Sequence, residues 1–202
     1  EQVLEYLGYP ICHTDQAVEQ QLQQQNFAYL PLAAMSPILS DLIDLRNVMG
    51  LRSPIHTLAR LINPFNAKAT LQAIFHPAYR TSHQHAAFKL GYQNSVVIKG
   101  EGGEFERNPD AKTLICGIKN GQLYEYELPK LTENRSASEE QLDLATFKAV
   151  WQGQQSHEYG EIAVIETMGI ALYSMGVCAS FEEAMLKAQV LWQSRKVLQS
   201  PK

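Results

Sequence analysis

The sequence predicts an α/β fold with a mostly parallel central sheet flanked by helices. Three short apolar runs, at 26–32, 71–75 and 95–100, have the length and composition of buried strands. Longer stretches with helical periodicity lie between them, and such alternation is typical of a parallel sheet. With 202 residues, of which 45% are hydrophobic, the chain is long enough to bury a sizeable core.

Surface helices are predicted before the first of these strands and before the last. Residues 15–25 are amphipathic, and Thr14 or Asp15 is available as the N-cap. Residues 83–92 predict a second helix, which ends at Gly91. The first residues of the chain read as a helix already under way, so we expect further sequence to precede them.

A β-hairpin is predicted within residues 113–129. Two β-rich arms flank Asn120 and Gly121, the preferred pair for a two-residue type I′ turn. The sheet is therefore expected to carry an antiparallel ribbon, followed by a polar connector at 131–141.

Two helices are predicted near the end of the chain. Residues 161–176 are apolar on nearly all sides, which indicates a buried helix that ends at Gly176. Ser180 and Glu183 have the spacing of a capping box, so we expect the last helix to begin there and to extend to about Val197.

Residues 45–65 do not fit the alternation of strand and helix. They predict short helices interrupted by Gly50 and Pro54, which are typical of a lid or a second lobe. The expected organisation is an α/β domain made of 1–44 and 66–202, with 45–65 belonging to a small helical lobe.

The cysteines and histidines exclude two kinds of site. Cys12, Cys116 and Cys178 are odd in number and far apart, which argues for reduced thiols in a cytoplasmic protein, and against a disulfide framework or a zinc site. His83 and His85 have no third metal ligand nearby. No apolar run approaches the ~20 residues of a membrane span, so we expect no membrane partner.

Positive charge is concentrated in one segment of an otherwise acidic chain. Residues 41–90 carry a net charge of +4, although the whole chain carries −4. The six basic residues of this segment are Arg46, Arg52, Arg60, Lys68, Arg80 and Lys89. They form either solvated helix faces or a surface that faces phosphate groups.

A glycine-rich loop follows the strand at 95–100 and contains Glu101, Glu104 and Glu106. Bare backbone N–H groups after a strand favour phosphate, whereas carboxylates repel it. A phosphate loop, a cation site facing a phosphate and a plain acidic turn all remain open. A dinucleotide fingerprint is excluded, because Phe105 stands where the last glycine is needed.

Several motifs, in order, resemble the anthranilate phosphoribosyltransferases of the glycosyltransferase family 3 superfamily. The stretch "RNVMGLRS...LINP" at 46–64 resembles a motif of that family, and "NFAYLPLAAMSP" resembles the strand before its His-Pro pair. "KGEGGEFE" is similar to its glycine-rich loop, and "EIAVIETMGIALYSMG" to its late helix. The similarity covers all 202 residues but only about the last three-fifths of a typical member.

This resemblance implies a nucleoside phosphorylase/phosphoribosyltransferase-type catalytic domain, with 45–65 belonging to an N-terminal helical lobe that is otherwise missing. The loop sequences look closest to the divergent YbiB-type branch. Membership of that branch implies nucleic-acid binding and a homodimer that forms through the helical lobe.

The resemblance also implies roles for individual residues. Arg46 falls where the enzymes grip the anthranilate carboxylate, Ser36 stands in place of their histidine, and Arg60 stands within their Gly-Pro pair. Glu104 matches an aspartate that helps to hold Mg²⁺, and Phe105 replaces the glutamate that follows it. If the segment is extended, Glu104 and Glu106 still face the same side.

Two functions follow. The first is a nucleic-acid-binding protein with a degenerate anthranilate pocket, in which single-stranded or nonspecific nucleic acid lies along a basic track. The track residues are Arg46, Arg52, Arg60, Lys68 and Lys99, with Tyr79, Tyr92 or Phe105 stacking on bases. The alternative is an active Mg²⁺-dependent phosphoribosyltransferase that uses phosphoribosyl diphosphate and an acceptor, anthranilate or another.

Overall fold

The α/β class is confirmed by the computed structural model, which describes residues 1–51, 53–100, 104–133 and 143–195. The strands are β1 (Thr70–Ile74), β2 (Ser95–Lys99), β3 (Thr113–Lys119) and β4 (Gln122–Leu128). The helices are α1 (Gln2–Tyr6), α2 (Asp15–Gln25), α3 (Leu32–Met35), α4 (Pro37–Asp44), α5 (Arg46–Met49), α6 (Ile55–Leu58), α7 (Arg80–Lys89), α8 (Leu144–Trp151), α9 (Glu158–Ser174) and α10 (Phe181–Gln193). Short 3₁₀ turns occur at Ala59–Leu61 and Pro77–Tyr79.

The sheet is mixed rather than mostly parallel. Its strand order is β1-β2-β3-β4, and only the β1–β2 pairing is parallel among the described strands. A parallel neighbour requires a crossover connection, usually a helix, whereas no helix lies in the described part of the 100–112 connection. Chain connectivity therefore overrides the expectation drawn from strand composition.

The hairpin prediction is confirmed. Asn120 and Gly121 have φ angles of 51° and 73°, as a type I′ turn requires at both central positions. The register continues from Lys119 opposite Gln122 to Thr113 opposite Leu128. This turn makes the antiparallel β3–β4 pair a local consequence of sequence.

The predicted strand at 26–32 is wrong. Asn26 ends α2 in the left-handed conformation, and Pro31 begins α3 as its N-cap. Only a short extended stretch remains between them, and within it Tyr29 makes an isolated parallel bridge with Ile11. The run is apolar because Phe27 packs edge-to-face on Tyr9, at 5.3 Å between ring centroids.

The helix caps follow the predicted chemistry. The Thr14 side chain accepts the backbone N–H of Ala17 at the start of α2. Ser180 likewise accepts the N–H of Glu183 at the start of α10, while the Glu183 carboxylate accepts the N–H of Ala179. The reciprocal bond thus goes to the residue before the N-cap. The expected end of α10 near 197 and most of the 131–141 connector lie outside the described residues.

The buried helix near the end of the chain is confirmed as α9, which packs against α10. Its core residue Leu172 lies with Ala184 and Ala188 of α10. A Cβ at Gly169 would overlap the sulfur of Met185, so glycine permits the close approach of the two helices. The chain leaves α9 through Gly176 at a φ of 72°.

Helix α7 is buried on one face, although we predicted a surface helix. His83 and Gln84 are both 3% exposed. His83 Nδ1 donates to Gln72 Oε1 (3.2 Å), and the Gln72 amide donates to Ser95 Oγ (3.1 Å). The Gln84 amide donates to the carbonyl oxygens of Gly117 and Tyr124. These bonds fix α7 to three strands.

The segment at 45–65 forms short helices, as predicted. Gly50 ends α5 at a φ of 68°, and Pro54 precedes α6. Val48 and Leu51 are 85% and 71% exposed. The assignment of this segment to a helical lobe stays a prediction.

The chain divides into two compact units. Among the described residues, the first comprises 1–51, 53–59 and 143–155, and the second comprises 60–100, 104–133 and 156–195. The sheet, α7, α9 and α10 all belong to the second unit.

Within the described ranges, no helix is long and apolar enough to cross a membrane.

We expect the free energy of unfolding to fall as the pH is lowered from about 7 to about 5. Burial, assisted by the positive charge of Arg60, holds the pKa of His83 below its ordinary value. The unfolded chain therefore gains a proton at this histidine near pH ~6.5, while the folded chain does so only at the lower pKa. Between these two pKa values the loss approaches about 1.4 kcal/mol per pH unit.

Urea unfolding of the wild type and of His83→Asn at several pH values measures this effect, because asparagine retains a donor toward Gln72 but does not titrate. The variant should lose the part of the pH slope that comes from this side chain. Equal slopes in the two proteins would contradict the assignment.

Candidate functional site

The candidate site begins where the parallel pair ends. Ile74 lies opposite Lys99, so β1 and β2 end at the same edge of the sheet. Gly100 donates its N–H to the carbonyl of Ile74 and holds the two chain exits together (3.0 Å). In open α/β sheets, ligands bind outside the carboxyl ends of the strands. We call this end of the β1–β2 pair the carboxyl edge.

Gly100 allows the loop to fold back at the carboxyl edge. A Cβ at this position would overlap the backbone carbonyl oxygen of Glu104 and would lie 3.2 Å from the Ala73 side chain. A backbone oxygen cannot rotate away as a side chain can. The glycine is therefore required by close backbone approach, which places Glu104 beside the end of β2.

The residues from Glu104 to Arg107 alternate between solvent and interior. Glu104 and Glu106 are exposed, whereas Phe105 is half-buried and Arg107 is fully buried. Phe105 packs against the core cluster that contains Ile98. The two exposed glutamates therefore flank an inward-facing phenylalanine. The segment is not extended as the sequence argument assumed, because the Glu106 N–H donates to the carbonyl of Glu104 (3.0 Å) and the chain turns at Phe105.

Arg107 is fully buried, and its charged side chain is surrounded by backbone carbonyl groups. Its guanidinium donates to the carbonyl oxygens of Asn108, Ala111 and Pro129. Burial lowers the pKa of Arg107, and the nearby Glu166 carboxylate opposes that shift. The pKa of Glu166 is raised by its own burial, against the effect of Arg107. Sequence reasoning missed Arg107, because an arginine among charged neighbours gives no signal of burial.

Aromatic side chains line the start of α7 at the carboxyl edge. His76 makes edge-to-face contacts with Phe75 and Tyr79, at 4.9 and 6.1 Å between ring centroids. Phe75 and Tyr79 are 47% and 50% exposed. This edge therefore combines aromatic surface with the exposed Lys99.

Only part of the predicted basic track lies near the carboxyl edge. Lys68 precedes β1, and its carbonyl accepts the Asn94 amide just before β2, so it lies at the opposite edge from Lys99. Arg60 is half-buried and donates to the carbonyl of Ala73 (2.8 Å), one residue before the end of β1, so it lies near the carboxyl edge. Arg52 lies outside the described residues.

Arg46 and Ser36, the predicted acceptor-binding residues, belong to the first unit. Arg46 is exposed at the start of α5, and Ser36 is the N-cap position of α4. Of the predicted stacking residues, Tyr79 is exposed, whereas Tyr92 donates its hydroxyl to the carbonyl of Leu61.

No group of three or more histidine, cysteine, aspartate or glutamate side chains with metal-site geometry occurs in the described parts of the chain. Glu104 and Glu106 supply two carboxylates, one fewer than such a group requires. Such a pair suits Mg²⁺, which binds through one or two carboxylates together with substrate phosphates. Glu101 of the same loop lies outside the described ranges.

The chain is an α/β protein with a mixed sheet and, at the carboxyl edge, a loop that requires glycine. Residues 1–196 match the model of the glycosyl transferase family, a/b domain, and the chain belongs to that family. The predicted resemblance to anthranilate phosphoribosyltransferases is thereby confirmed at the level of the superfamily.

Two relatives show how far the similarity reaches. The chain is 28% identical to the anthranilate phosphoribosyltransferase of Polaromonas sp. (strain JS666) over 95% of its own length and 57% of the relative. It is 29% identical to an uncharacterized protein of Aquifex aeolicus over 79% of its length and 53% of that protein. The chain thus spans little more than half of each relative.

Solved structures share the fold. The anthranilate phosphoribosyltransferase of Thermus thermophilus superposes with a TM-score of 0.76 at 21% identity, over 95% of this chain and 59% of that one. The enzyme from Saccharomyces cerevisiae in complex with PRPP and Mg superposes with a TM-score of 0.66 at 16% identity, over 95% and 57%.

We expect Gly100→Ala to destabilise the protein by about 1–3 kcal/mol, the usual cost of forcing extra volume into packed structure. The added methyl group would displace the Glu104 backbone and separate the exits of β1 and β2. Glu104→Ala is the matched control, because it removes the side chain and leaves that backbone in place. Urea denaturation measures both, and equal stabilities of the two variants would refute the close approach.

Proposed function

We propose that the protein transfers a phosphoribosyl or related pentosyl group from a diphosphate donor, with Mg²⁺ held at the carboxyl edge. The observation that carries the proposal is the alternation at 104–107, which keeps two carboxylates on the exposed side of an anchored segment. Family membership and the Mg- and PRPP-bound yeast enzyme of the same fold support it.

The donor set suits magnesium and its diphosphate partner. Glu104 and Glu106 offer hard carboxylate oxygens. Lys99 places an ammonium group at the end of β2, the strand that leads into their loop. When bound, Mg²⁺ would neutralise charge on the diphosphate leaving group. The chain's own residues would orient the donor, a contribution that needs no covalent nucleophile.

The acceptor is assigned by resemblance alone. Arg46 would grip a carboxylate through its planar fork, and the hydroxyl of Ser36 replaces an imidazole beside it. The loss of that imidazole favours an acceptor other than anthranilate. The homodimer and the cytoplasmic location also stay predictions.

We expect Glu104→Gln and Glu106→Gln each to weaken Mg²⁺-dependent binding of phosphoribosyl diphosphate at least about tenfold, which corresponds to about 1.4 kcal/mol. The amides keep the shape of the side chains and remove the charge that the cation requires. Calorimetric titration with phosphoribosyl diphosphate, in Mg²⁺ and in chelator, measures the effect.

Glu127→Gln is the control, because Glu127 is an exposed glutamate that pairs with Lys112 on the hairpin. If the two loop variants bind as tightly as Glu127→Gln, the proposed site is wrong.

Nucleic-acid binding is the second candidate, and the aromatic surface at the carboxyl edge favours it. Phe75 and Tyr79 present about half of their surface beside Lys99. Bases stack on such rings without sequence preference while cations contact the phosphates. This placement would confine the nucleic acid to one edge, because Lys68 lies at the other. The exposed carboxylates of Glu104 and Glu106 oppose it.

We expect, under this second candidate, that Lys99→Ala and Tyr79→Ala weaken binding of a labelled single-stranded oligonucleotide several-fold, whereas Lys68→Ala does not. Fluorescence anisotropy at two salt concentrations measures this, and the Lys99 variant should also show a shallower salt dependence. Equal losses for Lys68→Ala and Lys99→Ala would indicate a diffuse charge effect. No binding at low salt would remove this candidate and leave the transferase.

A further inference from the structure

Arg107 lies directly after the two outward-facing carboxylates and is 0% exposed. Arginine is rarely buried completely unless its charge is compensated. Because Arg107 follows Glu106 immediately, whatever fixes the arginine also fixes the backbone that carries both glutamates.

The Arg107 side chain joins three points of the chain. Its Nη1 donates to the carbonyl oxygens of Asn108 and Ala111, the latter at 2.7 Å, and its Nη2 donates to that of Pro129 at the end of β4. A planar guanidinium can bridge acceptors in this way, whereas a lysine ammonium acts as a point charge. The side chain therefore ties the loop to the hairpin.

The backbone of Arg107 is fixed from a second direction. Its N–H donates to Thr167 Oγ1 on α9 (3.0 Å). Close by, the Tyr159 hydroxyl donates to Asn108 Oδ1. Phe105 adds an apolar anchor in the core cluster. Two inward-facing residues, one apolar and one cationic, thus set the orientation of the exposed positions that precede them.

We propose that Arg107 is a positioning residue for the cation site at the carboxyl edge. Through its carbonyl and Thr167 contacts it fixes the turn at Phe105 that joins the exposed Glu104 and Glu106, so that both can serve a single divalent cation. This inference rests on the proposed function. It adds that Arg107, a buried residue that contacts no ligand, determines how tightly the site binds its cation.

Removal of the guanidinium would take a donor from three carbonyl oxygens, of which that of Asn108 would keep the N–H of Ala111 (3.4 Å). The loop would then gain conformational freedom, and the cation would have to order both carboxylates when it binds. Arg107→Lys should recover only part of the affinity, because one ammonium cannot span all three acceptors. A site that merely needed positive charge would be rescued fully by lysine.

Mn²⁺ titration monitored by the electron paramagnetic resonance signal of the free ion tests the inference without any activity assay. We expect affinity to fall at least tenfold in Arg107→Met, less in Arg107→Lys, and several-fold in Thr167→Val. The Thr167 variant keeps the side-chain shape and removes only the acceptor of the Arg107 N–H. It tests the backbone part of the anchoring, and the partial rescue in Arg107→Lys tests the side-chain part even if Arg107→Met fails to fold.

Ile118→Val is the stability control, because this fully buried β3 residue is far along the strand from the Arg107 contacts and the change typically costs about 0.5–1.5 kcal/mol. It should bind Mn²⁺ like the wild type. Equal losses in this control, or wild-type affinity in a folded Arg107→Met and in Thr167→Val, would overturn the positioning role. Absence of saturable Mn²⁺ binding in the wild type would overturn the proposed cation site, and the inference with it.

Discussion

The parallel pairing of β1 with β2 is the constraint on which the rest of the site depends. Because Ile74 lies opposite Lys99, the chain leaves both strands at one edge, and the bond from Gly100 to Ile74 continues the pairing one step further. β2 is buried on both faces, because the consecutive Val96, Val97 and Ile98 are all 0% exposed. A slip that moved Lys99 into the position of Ile98 would bury its charge, and this desolvation cost opposes that register.

A buried polar network secures this pair from the helix side. Thr70 and Gln72 of β1 both donate to the hydroxyl of Ser95 on β2, and Gln72 accepts from His83 of α7. Each such bond contributes only about 0.5–1.5 kcal/mol net, but a buried polar group left without its partner costs about 1–3 kcal/mol. The network therefore acts chiefly against alternative registers, in which several of these groups would lose their partners together. Burial also holds the pKa of His83 below its ordinary value, so the stability of this arrangement falls as the histidine is protonated.

At the carboxyl edge, the exposed Glu104 and Glu106 lie on a loop segment that is anchored to the core. Carboxylates that bind a cation must be exposed and must repel one another when the site is empty, so the surrounding structure has to hold them in place. Phe105 does so by apolar packing and Arg107 by hydrogen bonds to carbonyl oxygens. The same exposed edge carries Phe75 and Tyr79. Both proposed ligand classes, a diphosphate with its metal and a stacked nucleic acid, would contact this edge.

The sequence by itself determined the features that depend on neighbouring residues. The Asn120-Gly121 turn, the Thr14 and Ser180 caps, β1, β2 and the buried α9 all follow from local backbone preference or from periodicity. The tertiary structure alone decided the mixed sheet, the irregular path at 26–30, the burial of His83 and Arg107, and the placement of Lys68 and Lys99 at opposite edges. These depend on which distant segments pair and which polar groups thereby lose water. Such desolvation and pairing free energies belong to contacts between residues far apart in the chain, and no local pattern encodes them.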